Sequence, residues 1–200
     1  MEKKERIAFG QINPDKKNAV FLAIYVKNIS PWKYFNDDIK HITCPALIMI
    51  DRWDGRMGFP GGTMEENEPL IEALRRETKE EIGIRIRPEK VRPIASHEWS
   101  KMCTHFYGLE VLETEFLHIY YHILNNFARS TLLHVYEEGD SSHFMSEITG
   151  IKIVPIIEHA GKGINKYLEN SFAGSSKEEL QIIINEVLDL QLPTHSCKLD

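Results

Sequence analysis

Three observations predict an α/β domain built on a mixed β-sheet. Short apolar runs rich in β-branched and aromatic residues recur at Ala19–Val26, Ala46–Ile50, Val91–Glu98, Thr104–Leu109 and Ile148–Ile156. Residues 69–83 instead place Ile71, Leu74, Thr78 and Ile82 on one helical stripe. A second helical pattern near the end of the chain carries Leu180, Ile183, Ile184 and Val187 on its apolar side. Strands flanking a helix, with a further helix at the end, follow the order of an α/β fold.

Taken in chain order, residues 1–18 are polar and predict an extension that is loose or lies along an edge. A domain over 19–190 and a frayed tail over 191–200 follow. The stretch 51–62, DRWDGRMGFPGG, reads as a turn and then a loop that feeds the first helix. Pro69 suits that helix's first turn, where its missing N–H costs nothing. Gly83 suits a left-handed stop. His97 and His105 fall near the ends of the strands after it. Residues 113–127 carry Phe116, Ile119, Tyr120 and Ile123 at helical spacing. The last strand is interrupted late by Pro155. Ser175 or Ser176, each with an acid three residues on, caps a helix running to about Leu190.

Two hundred residues with 42% hydrophobic content fit one domain with room for a core. A net charge of −6 argues against a generic nucleic-acid coat protein, though not against a local basic groove. The cysteines Cys44, Cys103 and Cys197 show no CxxC spacing and cannot all pair within one chain, which suits a reducing compartment. The charged start MEKKERIAFG has no apolar signal core, and no run approaches a membrane span. The expectation is a soluble intracellular protein.

The first helix also carries Glu77, Glu80 and Glu81, related as i, i+3 and i+4 and so gathered on one face. Like charges at that spacing repel, and the helix macrodipole disfavours anions in the last turns. Glu72, Arg75 and Lys79 lie roughly opposite and read as solvent-facing. Hard divalent cations take oxygen ligands and would relieve both penalties, which points to Mg2+ or Mn2+. In pyrophosphate chemistry such ions neutralise substrate oxygens and acidify a bound water.

The stretch Gly62–Ile84, GTMEENEPLIEALRRETKEEIGI, fills every fixed position of G-x(5)-E-x(7)-R-E-U-x-E-E-x-G-U. Gly62, Glu68, Arg76, Glu77, Glu80, Glu81 and Gly83 occupy the invariant slots. A chance match is on the order of one in a million for average composition. On this motif the chain resembles the Nudix hydrolases. The resemblance implies an α/β/α sandwich with the catalytic helix packed against the sheet. It also implies metal binding by Glu77, Glu80 and Glu81 with a backbone carbonyl of the Gly61-Gly62 loop, and a structural pair between Arg76 and Glu68.

Three further segments, DGRMGFPGG (54–62), THFYGLEV (104–111) and KYLENSFAGSSKEEL (166–180), resemble the small-nucleolar-RNA-decapping Nudix hydrolases, which also act as inosine diphosphatases. That resemblance implies substrate contacts at Arg52, Phe59 and Phe172, although a phenylalanine at position 59 is by itself core more often than not. It implies that His97 reaches the metal site. Glu147, ahead of the last strand, is a candidate general base or ligand. The family's base-contacting histidine corresponds to Phe21, and its glutamine to Glu179. An ionised glutamate only accepts hydrogen bonds, which favours guanine or hypoxanthine edges over adenine. Arg85, Arg87, Lys90 and Arg92, with Lys16 and Lys17, form either a solvated surface or a phosphate track for capped RNA. The relatives' habits further imply a homodimer, with the apolar face of 113–127 as a contact surface, in nucleus or cytoplasm. Two alternatives stay open: hydrolysis of ADP-ribose or other nucleoside-diphosphate sugars, and a non-catalytic RNA-binding module.

Overall fold

A computed structural model describes residues 4–30, 42–136, 147–159 and 162–190. Its centre is an eight-stranded mixed sheet. The strands are β1 (Glu5–Ile7), β2 (Lys17–Ile29), β3 (Cys44–Arg52), β4 (Met57–Gly58), β5 (Gly61–Thr63), β6 (Arg92–Glu98), β7 (Met102–Glu110) and β8 (Ile148–Pro155). Their order is β1-β6-β7-β2-β3-β4, with β5 beside β2 and β8 beside β3. β2 and β7 run parallel. The other pairs in this sheet are antiparallel.

The apolar run in β2 is nearly continuous because the strand is covered on both faces. Side chains alternate across a strand, so Val20, Leu22, Ile24 and Val26 face one way and Ala23 and Tyr25 the other. The first set packs with Ala73, Leu74 and Ile82 of helix α1 (Leu70–Ile82) and with Phe116 and Ile123 of α2 (Glu113–Tyr136). The second set packs with Leu180, Ile183 and Ile184 of the C-terminal helix. The result is the expected α/β/α sandwich.

α1 follows its sequence closely. Gly83 ends it with φ 71°, and its N–H donates back to Lys79 O. Thr78 closes onto its own helix, its hydroxyl donating to Leu74 O at 2.8 Å. Pro69 is the capping residue rather than the first helical one, extended at ψ 142°.

Other elements differ from expectation. The loop 51–62 contains β4 and β5, strands too short to leave a periodic signal. α2 continues past Phe127 to Tyr136. A short α3 (Ile164–Tyr167) precedes α4 (Ser176–Ile182), which ends in a π-turn over Ile183–Val187. Ser175 does not cap the backbone of α4; its hydroxyl donates to the Glu179 carboxylate at 2.7 Å. The N-terminal stretch is an ordered flank. β1 pairs with β6, Arg6 pairs with Glu186 at 2.8 Å, and Phe9 packs edge-on to Tyr107 at 5.0 Å. The tail 191–200 and its Cys197 lie outside the described residues. Cys44 and Cys103 are free and buried. Among the described residues no helix is long and apolar enough to cross a membrane.

Candidate active site

The site grows from the junction of β5 and α1. β5 pairs with β2 through Phe21 and Gly61, so the glycine pair lies directly on the central strand. Gly61 has φ 141°, and a Cβ there would collide with the Val20 carbonyl oxygen. Only glycine takes this conformation without strain. A Cβ at Gly62 would run into the Glu77 carboxylate. The two glycines therefore let the backbone lie against the acids of α1.

Glu81 is 1% exposed, and its carboxylate accepts the Gly61 N–H at 2.6 Å. Burial pushes its pKa up to about 8. The Gly61 bond and Arg52 oppose that rise, while the charges of Glu77 and Glu147 add to it. Glu77 is also buried, and Glu80 is half-buried at the helix surface. Glu72, Arg75 and Lys79 face solvent on the other side, as predicted.

Arg76 organises the acids. Its guanidinium makes a bidentate pair with Glu68 at 3.0 and 2.9 Å, as the motif implied. It also donates to the Thr63 carbonyl at 3.0 Å, to Glu77 at 2.8 Å and to Glu80 at 3.2 Å. Among the described residues no three acidic, histidine or cysteine side chains are gathered closely enough to cage an ion as they stand. One cation, Arg76, already meets Glu77 and Glu80. The donor set nonetheless fits a hard dication. It is all oxygen, it is partly buried, and its deepest carboxylate is held against its own charge by desolvation and two acidic neighbours.

Arg52 and Glu147 belong to the same group. Arg52, at the end of β3, lies 3.7 Å from Asp54 and acts electrostatically on Glu81. Glu147 is exposed, just before β8, and its carbonyl accepts the Trp53 N–H at 3.0 Å.

The remaining predicted residues lie on the opposite face of the sheet. Phe21 is half-buried beside Phe106. Phe59 is 2% exposed and packs against Phe106 with centroids 4.8 Å apart, so it is a core residue and offers no open stacking face. Phe172 is half-buried against Tyr167. Its segment straps β4, since Met57 N–H donates to Ser171 O at 3.0 Å and Ala173 N–H to Met57 O at 2.8 Å. The LENSF stretch thus holds the strand that feeds the glycine loop.

His97 is a correction. It lies on β6, and along the register His97–Thr104–Ala19–Thr63 it stands three strand spacings from β5. That is about 14 Å, too far for a ligand to an ion on α1. Its surroundings are Lys4, Arg6, Glu178 and Glu186. Burial, with Lys4 and Arg6 beside it, lowers its pKa to about 4. Glu179 is a second correction. It is 1% exposed and accepts from Ser175 at 2.7 Å and Thr104 at 3.4 Å. Burial raises its pKa, and its carboxylate is already committed to Ser175 and Thr104 inside the protein, so it presents no open edge with which to choose a base.

Part of the basic stretch is committed within the protein. Lys16 binds Glu98 and the Trp99 carbonyl, and Arg92 donates to the Tyr25 hydroxyl. Lys17, Arg85, Arg87 and Lys90 remain exposed. Trp53, the aromatic inside DRWDGR, stands exposed in the turn between Arg52 and Asp54.

Among solved structures, the chain is similar to a mutT/nudix family protein from Listeria innocua. The TM-score is 0.54 at 15% identity, over 89% of this chain and 97% of that one. It is also similar to the Bacillus subtilis pyrophosphohydrolase BsRppH, with TM-score 0.54 at 14% identity, over 94% and 91%. At such identity the likeness is one of fold. Among curated proteins, it is similar to the U8 snoRNA-decapping enzyme of Mus musculus at 26% identity, over 96% of this chain and 89% of that protein. The Xenopus laevis enzyme is 30% identical over 68% of this chain and 61% of its own length. The Homalodisca vitripennis enzyme is 39% identical over 37% and 42%. The alignments thus span less than two thirds of the frog and insect proteins. Residues 18–190 match the Nudt16-like family, described as U8 snoRNA-decapping enzyme-like, and the chain therefore belongs to that family of Nudix hydrolases.

Proposed function

We propose that the protein hydrolyses phosphoanhydride bonds of nucleotides with Mg2+ or Mn2+. Its substrates are inosine or guanosine diphosphates, their deoxy forms, and the 5′ caps of RNA. The observation that carries this reading is the buried Glu81 carboxylate, fixed on Gly61 N–H beside Glu77 and within reach of the Arg52 and Glu147 charges. A group so placed has no role in holding the fold that an apolar residue would not fill better.

Glu77, Glu80, Glu81 and the Gly61 carbonyl would hold the ions. A hard dication held there would supply the positive charge that neutralises phosphate oxygens and the acidity that readies a water for attack on phosphorus. Arg76 keeps Glu68 as its partner and yields Glu77 and Glu80. Arg52 places positive charge where it builds up on the phosphate oxygens. Glu147 takes the proton of the attacking water. The products are a nucleoside monophosphate and phosphate from a diphosphate, or a cap fragment and 5′-phosphorylated RNA from a capped chain.

The mouse, frog and insect relatives are named for decapping of U8 snoRNA, which supports capped RNA as one substrate class. The exposed Lys17, Arg85, Arg87 and Lys90 supply phosphate contacts for it. The base preference rests on the sequence resemblance to inosine diphosphatases and not on Glu179. Residence in nucleus or cytoplasm and pairing as a homodimer belong to the same reading, but the apolar face of 113–127 does not supply the contact. Phe116 and Ile123 are buried in the core with Ile119 and Tyr120 packed against it, which leaves to pairing only the outer face of α2, where Tyr121 and Leu124 are exposed.

A panel at fixed Mn2+ tests it: IDP, dIDP, GDP, XDP, ADP, ADP-ribose and m7G-capped RNA. Turnover is expected on IDP or GDP and on the cap, and Glu81→Gln is expected to lower it by orders of magnitude with the fold intact. Cleavage of ADP-ribose alone would move the protein to the nucleoside-diphosphate-sugar hydrolases. No turnover on any substrate would make it a binding module. Near-wild-type turnover by Glu81→Gln would reject the metal assignment.

A further inference from the structure

The β3–β4 turn carries a side chain that neither the core nor the reaction above uses. Trp53 is 64% exposed. Its backbone is nevertheless held tightly. Arg52 N–H donates to Arg56 O at 2.9 Å and Gly55 N–H to Arg52 O at 3.0 Å, with Gly55 left-handed at φ 75°. The Asp54 carboxylate accepts the Arg56 N–H at 3.1 Å and its guanidinium at 2.7 and 3.0 Å. Trp53 N–H donates to the Glu147 carbonyl at 3.0 Å. The main chain of Trp53 is thus held beside Arg52 and Glu147, the two residues outside α1 and its glycine loop whose charges reach Glu81, and its indole is exposed there.

The charge around it balances. Asp51, Asp54 and Glu147 stand against Arg52, Arg56 and Lys152, and Lys152 pairs with Asp51 at 2.7 Å. A neutral rim bearing one large aromatic ring suits stacking better than phosphate capture. The turn is ordered beforehand, so a stacked ring loses little binding energy to ordering of the protein. The other exposed large apolar residues among the described ones, Phe9, Ile12, Leu112, Tyr121 and Leu124, belong to other segments. A lone indole accommodates one flat ring, whereas a protein partner needs a contiguous apolar patch.

We propose that Trp53 is the stacking platform for the nucleoside on the far side of the phosphate bridge. That nucleoside is the first nucleotide of a capped RNA or the second nucleoside of a dinucleoside polyphosphate. The proposal rests on the phosphoanhydride reading above and adds to it the part of the substrate that a simple diphosphate lacks.

The test compares kcat/KM for GDP, a guanosine dinucleoside triphosphate and m7G-capped RNA in wild type, Trp53→Ala, Trp53→Leu and Trp53→Phe. The ratio of two-nucleoside substrate to GDP is expected to fall about tenfold or more in the Ala and Leu variants. The fall is expected in KM, with Phe retaining most of the ratio. A loss on the RNA arm alone supports the platform and assigns it to RNA; a loss on both arms supports it for either source. An unchanged ratio, or rescue by Leu as complete as by Phe, overturns it. An altered oligomeric state with the ratio intact assigns the indole to a protein contact and also overturns it. Wild-type turnover of GDP without turnover of either larger substrate overturns this proposal together with the cap as a substrate, and leaves the diphosphate part of the parent reading standing. An inactive wild type on all three overturns both.

Discussion

Glu81 shows how one residue links sequence, burial and chemistry. Its place on the helix was legible, because Ile71, Leu74, Thr78 and Ile82 fix the buried stripe and put Glu77 and Glu81 beside it. Its proton affinity was not, because that depends on Gly61, Glu147 and Arg52, which other segments supply. The pKa is raised above the ordinary carboxylate value, so between about pH 4.5 and about 8 the folded metal-free protein holds a proton that the unfolded chain has released. Stability from this group is full below that window and falls as pH rises through it. In the proposed function a dication would replace the proton. Thermal denaturation is therefore expected to show a Tm gain from Mn2+ that grows from pH 6 to pH 9, and Glu81→Gln is expected to flatten it. An Mn2+ gain independent of pH would contradict this account. His97 illustrates the limit of residue-level reading: a strand-end histidine was visible, but the strands separating it from β5 were not.

At the scale of elements, long periodic segments read well and short or non-local ones poorly. α1 was legible to within a residue because its stripe, its left-handed glycine and its start all agree. β4 and β5 were hidden because strands of two and three residues have no period, and Met57 is fixed by the distant Ser171 and Ala173. Ser175 looked like a cap, but Glu179 sits buried one turn on and draws its hydroxyl instead. The C-terminal helix is the lid of the second apolar layer, with Leu180 fully buried against the sheet. Leu180→Ala is expected to cost about 2–5 kcal/mol of stability, measured by denaturant unfolding. The penalty falls on the fold and not on α1, so the remaining folded fraction is expected to keep its turnover number.

The whole molecule places two chemistries on opposite faces of one sheet and joins them where Phe21 meets Gly61. On one side are the acids of α1; on the other, an aromatic and polar layer of Phe21, Phe106, Thr104 and Glu179 under α4. The class of this architecture followed from the alternation of strand and helix patterns. The parallel pairing of β2 with β7 did not, since nothing local in either strand names its partner. The central claim is that the carboxylates of α1, with the glycine loop, form a seat for a hard dication. Its most direct test is Mn2+ binding followed by electron paramagnetic resonance of the free ion at pH 8, in wild type and in Glu81→Gln. Saturable uptake by wild type, strongly weakened in the variant while the fold persists, is the predicted result. Equal uptake by both proteins, or none by wild type, would contradict it.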